Sequence, residues 1–380
     1  MIPLFLGPHL RKIAFYIDRT AVNLCLSILS SLGKSYPGLE SIELEYVPGE
    51  YSDRFLKVTS LVAMEWSHLQ HFKATNVSYN ALAHLASLPN LQSLQFYDLG
   101  TIPRHQNKTI GHGFPALKRL HVSTLNPEHC LGLIESLSSG PLERLSLSFD
   151  EPTPSVVWKE LCNALKQYCN PKYLKAIELE DYQEEYMGYN GGLDADDYII
   201  GLEHFTSLFS FHNLTDLILK PFYGFHFSSE AIHNIAMKWP NMEHLTLRPN
   251  AVHPLHASGI TLHDLETFAK HCRKLEHLGL IFDTTLPNND NPSKRTEQQS
   301  LDTLKVLHVG HSPLGDQPSV AAYLSGIFPS LDHIETFEGT EGSDDGEGTS
   351  VDRAWLNVSR LVPVFARVRA EERALANAQA

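Results

Sequence analysis

One short pattern, Leu-x-x-Leu-x-Leu with conservative replacements, recurs twelve times along the 380 residues. The first residues of its copies are Leu10, Leu39, Leu69, Leu91, Leu117, Leu142, Leu174, Leu214, Met242, Leu275, Leu304 and Leu331. The mean spacing of about 29 residues is that of a repeat protein, in which each unit buries its apolar face against its neighbours. A stacked array is therefore favoured over the two or three closed domains that a chain of this length usually forms.

Each repeat joins a strand pattern to a helix pattern. Residues 142–147 are Leu-Glu-Arg-Leu-Ser-Leu, and in the last three a serine stands between two leucines. This alternation predicts a short strand with one apolar face. Apolar residues at helical spacing precede the pattern in several repeats, as in 156–165, 231–236 and 262–269. These alternating elements predict an α/β leucine-rich-repeat solenoid, a horseshoe of about 12 irregular repeats with a parallel sheet on the concave face and helices on the convex face.

A doubly wound α/β domain would also alternate strands with helices. Its buried central strands are continuous apolar runs, whereas polar residues stand at every second position of the strands here. One face of the sheet is therefore expected to contact water, which favours the solenoid.

Several helix starts carry residues typical of N-caps, and we predict caps at Asn80, at Ser229 and at Thr261 with Asp264 three residues later.

The repeats predict a solenoid over residues 1–338. Residues 339–352 are acidic and glycine-rich, so a flexible loop is expected there. Residues 353–380 are expected to form a capping segment that ends in a frayed tail, because apolar residues from Trp355 onward recur at helical spacing. Pro363 is expected to break or restart the helix of this segment.

Three polar segments interrupt the rhythm of the repeats, at 99–113, 181–197 and 283–300. Each is predicted to leave the rim of the solenoid as a loop. The second is acidic and contains tyrosines, but it lacks the Asp-x-Asp-x-Asp-Gly order of a calcium-binding EF-hand loop. A solvated loop, or a loop that contacts a partner, fits this segment better than a calcium site.

Charge and composition argue against several classes of function. With 30 Lys+Arg against 44 Asp+Glu the formal charge is −14, whereas binding to nucleic acid or to an anionic membrane needs a basic surface. No apolar run reaches the roughly 18 residues of a membrane-spanning helix. The first apolar stretch is broken by Pro3 and no basic residues precede it, so no signal peptide is predicted. We expect no nucleic-acid or membrane partner, and an intracellular location, cytoplasmic or nuclear.

The sequence carries none of the common motifs of catalytic or cofactor sites. It lacks a Gly-x-x-x-x-Gly-Lys-Ser/Thr loop, a Gly-x-Gly-x-x-Gly turn, a Gly-x-Ser-x-Gly elbow and a His-Glu-x-x-His helix. Its five cysteines are scattered without a Cys-x-x-Cys pair, which indicates packed, reduced thiols rather than disulfides or a zinc site. We therefore predict a protein that is not an enzyme and that uses no cofactor.

The repeat numbering places four histidines on the concave face, because positions three, five and seven of each copy point away from the core. They are His244, His277, His308 and His333, from consecutive repeats. Neighbouring strands lie about 4.8 Å apart, so His244 and His277 are expected to come close together. Such a group could bind a metal or respond to pH. No carboxylate or thiol completes an obvious set of ligands, although Glu335 lies in the same row, and we predict hydrated histidines without a metal.

A basic stripe marks the same face in the N-terminal half of the chain. It consists of Lys73, Arg119 and Arg144, accompanied by Tyr97 and His121. The acidic residues that flank it are Glu43, Glu45, Glu178 and Glu180. Patches of opposite sign on a curved surface suit a polar protein or peptide better than a uniform polyanion. We predict that a partner binds to the stripe and to the four histidines, with solvated charges that bind nothing as the alternative.

Several repeats have a degenerate form, as in 114–122 (Phe-Pro-Ala-Leu-Lys-Arg-Leu-His-Val), 141–147 and 271–280 (His-Cys-Arg-Lys-Leu-Glu-His-Leu-Gly-Leu). Together with the opening at 4–10 and the ending that follows Trp355, they resemble the leucine-rich-repeat region of fungal F-box proteins over the full length of the chain. The resemblance implies that the repeats bind a protein substrate. In that family a short helical F-box near the N-terminus recruits the Skp adaptor of a cullin–RING ubiquitin ligase.

Only nine residues precede Leu10, too few for the several helices of an F-box, and no F-box is seen in this sequence. The resemblance therefore implies the substrate receptor alone, with the Skp adaptor as a partner only if an F-box lies upstream. A GTPase regulator that resembles the Ran GTPase-activating proteins is the first alternative. Repeats of that family commonly carry asparagine at the ninth position, which only Asn250 holds here. A scaffold without a link to a ligase is the second alternative.

Overall fold

The structure is a computed structural model that describes residues 9–17, 22–46, 52–100, 113–137, 140–181, 195–248, 259–285, 300–336 and 350–379. Most of the three predicted loops, and nearly all of the acidic segment 339–352, lie outside the described residues. Asn250 lies outside them as well.

Every predicted repeat contributes one strand. The strands are β1 (Lys12–Ile17), β2 (Ser41–Tyr46), β3 (His71–Ala74), β4 (Ser93–Phe96), β5 (Arg119–Thr124), β6 (Arg144–Phe149), β7 (Ala176–Asp181), β8 (Asp216–Lys220), β9 (His244–Leu247), β10 (His277–Leu280), β11 (Val306–His308) and β12 (His333–Glu335). They follow one another in chain order in one sheet. This order, with parallel pairing of neighbours, confirms the predicted α/β leucine-rich-repeat architecture.

The helices alternate with the strands along the chain. Within the described residues they are α1 (Val22–Ser35), α2 (Ser52–Glu65), α3 (Tyr79–Ser87), α4 (Glu128–Glu135), α5 (Ser155–Tyr168), α6 (Ser229–Lys238), α7 (Leu265–His271), α8 (Gln317–Ile327) and α9 (Ser350–Gln379). The described residues between β7 and β8 form only short 3-10 helices, at Ala195–Asp197, Leu202–His204 and Thr206–Ser210. The repeats are thus irregular, as their uneven spacing predicts.

The leucines of the repeat pattern are paired in register across neighbouring strands. Leu94 of β4 faces Leu120 of β5, which faces Leu145 of β6. All three are at most 1% exposed. Alternation places every second strand residue on one face, and a shift by one residue would turn the leucines to water. The hydrophobic pattern therefore sets the register of the sheet.

The chain divides into two compact units. The first comprises Met1–Thr153 and Val157–Ile177, and the second comprises Pro154–Val156 and Glu178–Ala380. The first unit has a core of leucines and aromatic rings, in which Phe72 and Phe96 make an edge-to-face contact with centroids 6.2 Å apart.

The second unit has an aromatic cluster in its core. Phe225 stacks on Phe227 at 4.7 Å, and Phe205 contacts Phe227 edge to face at 5.9 Å. Aromatic pairs of these geometries add about 0.5–1.5 kcal/mol each to the free energy that burial itself contributes.

Two of the three predicted N-caps are wrong by one or two residues. Ser78, not Asn80, caps α3, and Ser228, not Ser229, caps α6. Each capping serine has an extended backbone and accepts a hydrogen bond from the amide three residues later. The third prediction is confirmed, since Asp264 accepts from the Thr261 amide at 2.7 Å.

Helix α9 (Ser350–Gln379) departs from prediction at Pro363. It continues through Pro363, where a break was expected, and its last residues up to Gln379 are helical, with 371–378 exposed. Proline removes one backbone hydrogen bond from a helix, but packing holds this helix on both sides of it. Trp355 is fully buried in the N-terminal part, and Arg369 donates to Ser325 Oγ of α8 in the C-terminal part.

Candidate partner-binding face

The open face of the sheet is formed by positions three, five and seven of each repeat, counted from the first residue of Leu-x-x-Leu-x-Leu. In β3, β4 and β9 positions three and five are half-buried, while positions four and six are fully buried. All nine partner-binding residues predicted from the sequence belong to this face by their positions. Lys73, Tyr97, His121, Arg119 and Arg144 belong to the first unit, and the four histidines belong to the second.

Lys73 on β3 is held by two glutamates of β2. Its Nζ makes an ion pair with Glu45 Oε1 and lies 3.8 Å from Glu43 Oε2. It also stands 5.1 Å from the centroid of the Tyr97 ring, within reach of a cation–π contact. The Tyr97 hydroxyl donates to the same Glu45 oxygen at 3.1 Å. The four side chains form one network that joins β2, β3 and Tyr97, the residue after β4.

The network keeps both Lys73 and Glu45 charged. Burial acts to lower the pKa of Lys73, but its interactions with Glu45 and Tyr97 outweigh burial and raise the pKa. The hydrogen bond from Lys73 is the main cause that lowers the pKa of Glu45. The charge of Lys73 is therefore compensated within the fold. The predicted basic stripe is therefore shorter than expected, because Glu45 of the neighbouring repeat pairs with Lys73, its first residue.

Arg119 and Arg144 form the remaining part of the stripe. They are register partners on the adjacent strands β5 and β6, and both are exposed. Within the part of the chain that the structure describes, neither guanidinium makes an ion pair. Arg119 also acts on His71, whose pKa is lowered by burial and then by the positive charges of Arg119 and Lys12. We define these two residues as the arginine pair.

Tyr97 and His121 lie beside the arginine pair. Their rings contact edge to face with centroids 6.3 Å apart, and His121 Nδ1 lies 3.0 Å from Ser146 Oγ. Ser146 occupies the open-face position next to Arg144 on β6 but is only 8% exposed. Ser146 is not among the residues predicted from the sequence, although it holds position five of its repeat.

In the second unit His244 and His277 come together as predicted. They are register partners on β9 and β10, and their ring centroids are 4.6 Å apart. His244 Nδ1 also lies 3.0 Å from Asp216 Oδ1. Asp216 was missed, although it holds position three of the preceding repeat. The three side chains thus follow one another along one row of the sheet.

The other two predicted histidines, His308 and His333, do not contact these three side chains. His308 Nδ1 pairs with Glu335 Oε2 at 2.8 Å, and His333 is exposed on β12. Among the described residues no group of three or more His, Cys, Asp or Glu is arranged to hold a metal ion. His244 contacts both Asp216 and His277, whereas His308 pairs with Glu335.

No helix of the described residues combines the length and the apolar character needed to cross a membrane. No known protein family matches the sequence, and no curated protein matches it either. Among solved structures, the Rad7 and Elc1 complex in yeast is similar with a TM-score of 0.29 and 14% identity, over 84% of this chain and 89% of that chain.

The structure of PEPR1-AtPEP1 is similar with a TM-score of 0.33 and 12% identity, over 86% of this chain and 35% of that chain. Similarities this low bear on neither the fold nor the function.

Proposed function

We propose that the chain is a protein-interaction scaffold whose open sheet face binds a protein or peptide partner. One observation carries the proposal: the arginine pair is exposed on this face and makes no ion pair within the described residues. Two like charges side by side on a sheet destabilise it. The pair is therefore better explained by binding than by folding, since an anionic group of a partner would remove the repulsion.

The rest of the face in the first unit suits a polar partner. Tyr97 and His121 offer ring edges beside the pair, and Glu43 and Glu45 supply negative charge a short distance away. A mixture of signs with aromatic side chains favours recognition of one protein surface over attraction of any polyanion. The net charge of −14 supports the same choice.

At a finer level, we propose that the chain is the substrate-recognition part of an F-box-type ubiquitin ligase. The resemblance of its repeats to those of F-box proteins supports this role, and the Skp adaptor would be a partner if the protein carries an F-box. Co-precipitation of the Skp adaptor with the protein from cells tests this part. Absence of the adaptor would leave a scaffold without a ligase link.

The docking face is tested by charge reversal with a matched control. The variant Arg119→Glu/Arg144→Glu changes the charge of the open face, and Lys159→Glu/Lys166→Glu makes the same change at exposed positions of α5. A photo-crosslinker at Gln95, between Lys73 and His121 in register, should label the captured partner. Binding of the partner should be lost in the arginine variant alone. Equal binding of the partner by both variants would contradict the proposal.

A further inference from the structure

We propose that a second surface of the chain binds an arginine side chain of a protein partner. This surface consists of Tyr198, Phe222 and Tyr223, and we call these three residues the aromatic platform. The platform belongs to the second unit, whereas the arginine pair belongs to the first. The inference therefore goes beyond the proposed function and needs no contribution from the arginine pair.

The three rings of the platform form one cluster that water still reaches. The ring centroids of Tyr198 and Tyr223 are 5.1 Å apart with 40° between the planes, and Phe222 contacts Tyr223 edge to face at 5.2 Å. Each of the three residues is half-buried. Aromatic side chains with one accessible side are enriched at interfaces, because one ring contributes a large contact area.

A tight turn after β8 fixes the positions of Phe222 and Tyr223. The Gly224 amide donates to the Pro221 carbonyl at 3.2 Å, and Gly224 has a φ of +84°, which glycine adopts without strain. The Phe222 amide donates to the carboxylate of the buried Asp181. Because the backbone already holds both rings in place, a ligand would order little of the chain when it binds.

The segment that carries Tyr198 is attached to the same turn. Two residues after Tyr198, the Ile200 amide donates to the Gly224 carbonyl at 3.1 Å. The His226 amide donates to the Ile200 carbonyl at 3.0 Å, and the side chain of Ile200 is fully buried. The platform is therefore a fixed surface built from two segments that pair with each other.

Negative charge surrounds the platform. Asp196 and Asp197 directly precede Tyr198 and are exposed, and the side chain of Glu203 is 68% exposed. Lys220 is the only lysine or arginine in residues 195–227, and its Nζ lies 3.6 Å from Glu180 Oε2. Aromatic faces beside carboxylates attract a cation, and the same charges repel phosphate groups. The surface therefore fits a cationic side chain of the partner.

The first unit contains the same combination with its cation in place. Lys73 Nζ stands 5.1 Å from the centroid of the Tyr97 ring and pairs with Glu45. Among the described residues no lysine or arginine lies over a ring of the platform. A partner's arginine suits these rings better than a lysine, since the planar guanidinium stacks on aromatic faces and is more weakly hydrated than an ammonium group.

The test compares short fluorescent peptides of glycine and serine that carry arginine, lysine, citrulline or leucine at the same positions. Citrulline has nearly the shape of arginine but no charge. Binding to the full chain is followed by fluorescence anisotropy at about 0.15 M salt, which screens long-range attraction. The arginine peptide should bind at least about threefold more tightly than each of the others. Equally tight binding of the lysine, citrulline or leucine peptide would overturn the proposal.

Ring variants assign the preference to the platform. Tyr198→Leu/Tyr223→Leu keeps apolar side chains but removes two ring faces, and it should lose the preference for arginine over lysine. Tyr198→Phe/Tyr223→Phe keeps the faces and should retain the preference. Tyr173→Leu, at a tyrosine of the first unit that is 38% exposed, should bind as the unmodified chain does. A leucine variant with an unchanged preference would contradict the inference.

Charge variants give a second test that does not disturb the aromatic packing. Asp196→Asn/Asp197→Asn should weaken binding of the arginine peptide about threefold. Glu371→Gln/Glu372→Gln makes the same change in net charge at exposed positions of α9 and should have little effect. Equal weakening by both variants would mean that net charge alone attracts the peptide, which would overturn the proposal.

A variant with glutamine at both residues of the arginine pair separates this inference from the proposed function. This variant should bind the arginine peptide as the unmodified chain does. Loss of binding in this variant would overturn the assignment to the platform. Failure of the arginine peptide to bind the unmodified chain would overturn the inference and leave the open face as a docking surface.

Discussion

The imidazole rings of His244 and His277 lie 4.6 Å apart, on adjacent strands of the second unit, with 43° between their planes. Two protonated rings at this distance would repel each other. Burial lowers the pKa of His277, and the charge of His244 lowers it further, while Glu276 and Glu335 act in the opposite direction and Lys305 adds to the lowering. The pair is therefore held together most easily when His277 is neutral.

Acidification should destabilise the second unit through His277. Because its pKa is lower in the folded than in the unfolded chain, the unfolded chain binds more protons as pH falls below about 6.5. The free energy of unfolding should fall with pH in that range, and His277→Gln should reduce the slope. Urea unfolding measures this free energy from pH 5 to 7.5, which is about the range in which histidine titrates.

His71 provides an independent check in the first unit. Its pKa is lowered by burial, by Arg119 and by Lys12, so His71→Gln should also reduce the loss of stability in acid. A steeper pH dependence in either glutamine variant would contradict the sign of the shift.

Arg144→Glu should abolish partner binding without loss of stability. The new carboxylate would face Arg119 across the strands and would replace a repulsive pair by an attractive one. Opposite charges paired across a sheet contribute about 0.2–1 kcal/mol, so the melting temperature should stay equal or rise slightly. Differential scanning calorimetry measures the melting temperature. A clear decrease in stability would show that Arg144 has a structural role.

Trp355→Ala should strongly destabilise the second unit, because α9 covers the last repeats through this residue. Trp355 is fully buried, its Nε1 donates to the Ser312 carbonyl at 2.8 Å, and its ring contacts Phe282 with centroids 5.9 Å apart. Truncation of a buried tryptophan costs about 3–5 kcal/mol.

The neighbouring residue offers the control for this change. Leu356 is 49% exposed, and Leu356→Ala should alter stability by less than about 0.5 kcal/mol. Hydrogen exchange of the amides of α9 compares the two variants. Similar protection of α9 in both would mean that Trp355 does not anchor the helix.

Native thiols should react sparingly with Ellman's reagent. Four of the five cysteines are buried, whereas Cys25 is half-buried. Burial raises the pKa of Cys162, Cys169 and Cys272 to about 12 each, and only the thiolate reacts. About one thiol should be titrated in the native chain, and all five in urea. Rapid reaction of several thiols in the native chain would contradict the packed core.

The sequence predicted the strands well because their pattern is local. Leu94, Leu120 and Leu145 stand at fixed positions of their repeats, and alternation alone assigns them to the core and pairs them in register. The same counting placed His244 beside His277. The exact helix starts were harder to predict, since Ser78 and Asn80 are both good N-caps and only the backbone conformation decides between them.

Periodic hydrophobicity by itself determined that the chain stacks strand-and-helix repeats and which side chains lie on the open face, because burial of leucines acts at every repeat in the same way. Tertiary structure alone decided which charges find partners. Lys73 and Arg119 both stand on strand positions of the open face, but of these two only Lys73 pairs with Glu45. Long side chains cross between strands, and such contacts depend on positions that no single repeat encodes.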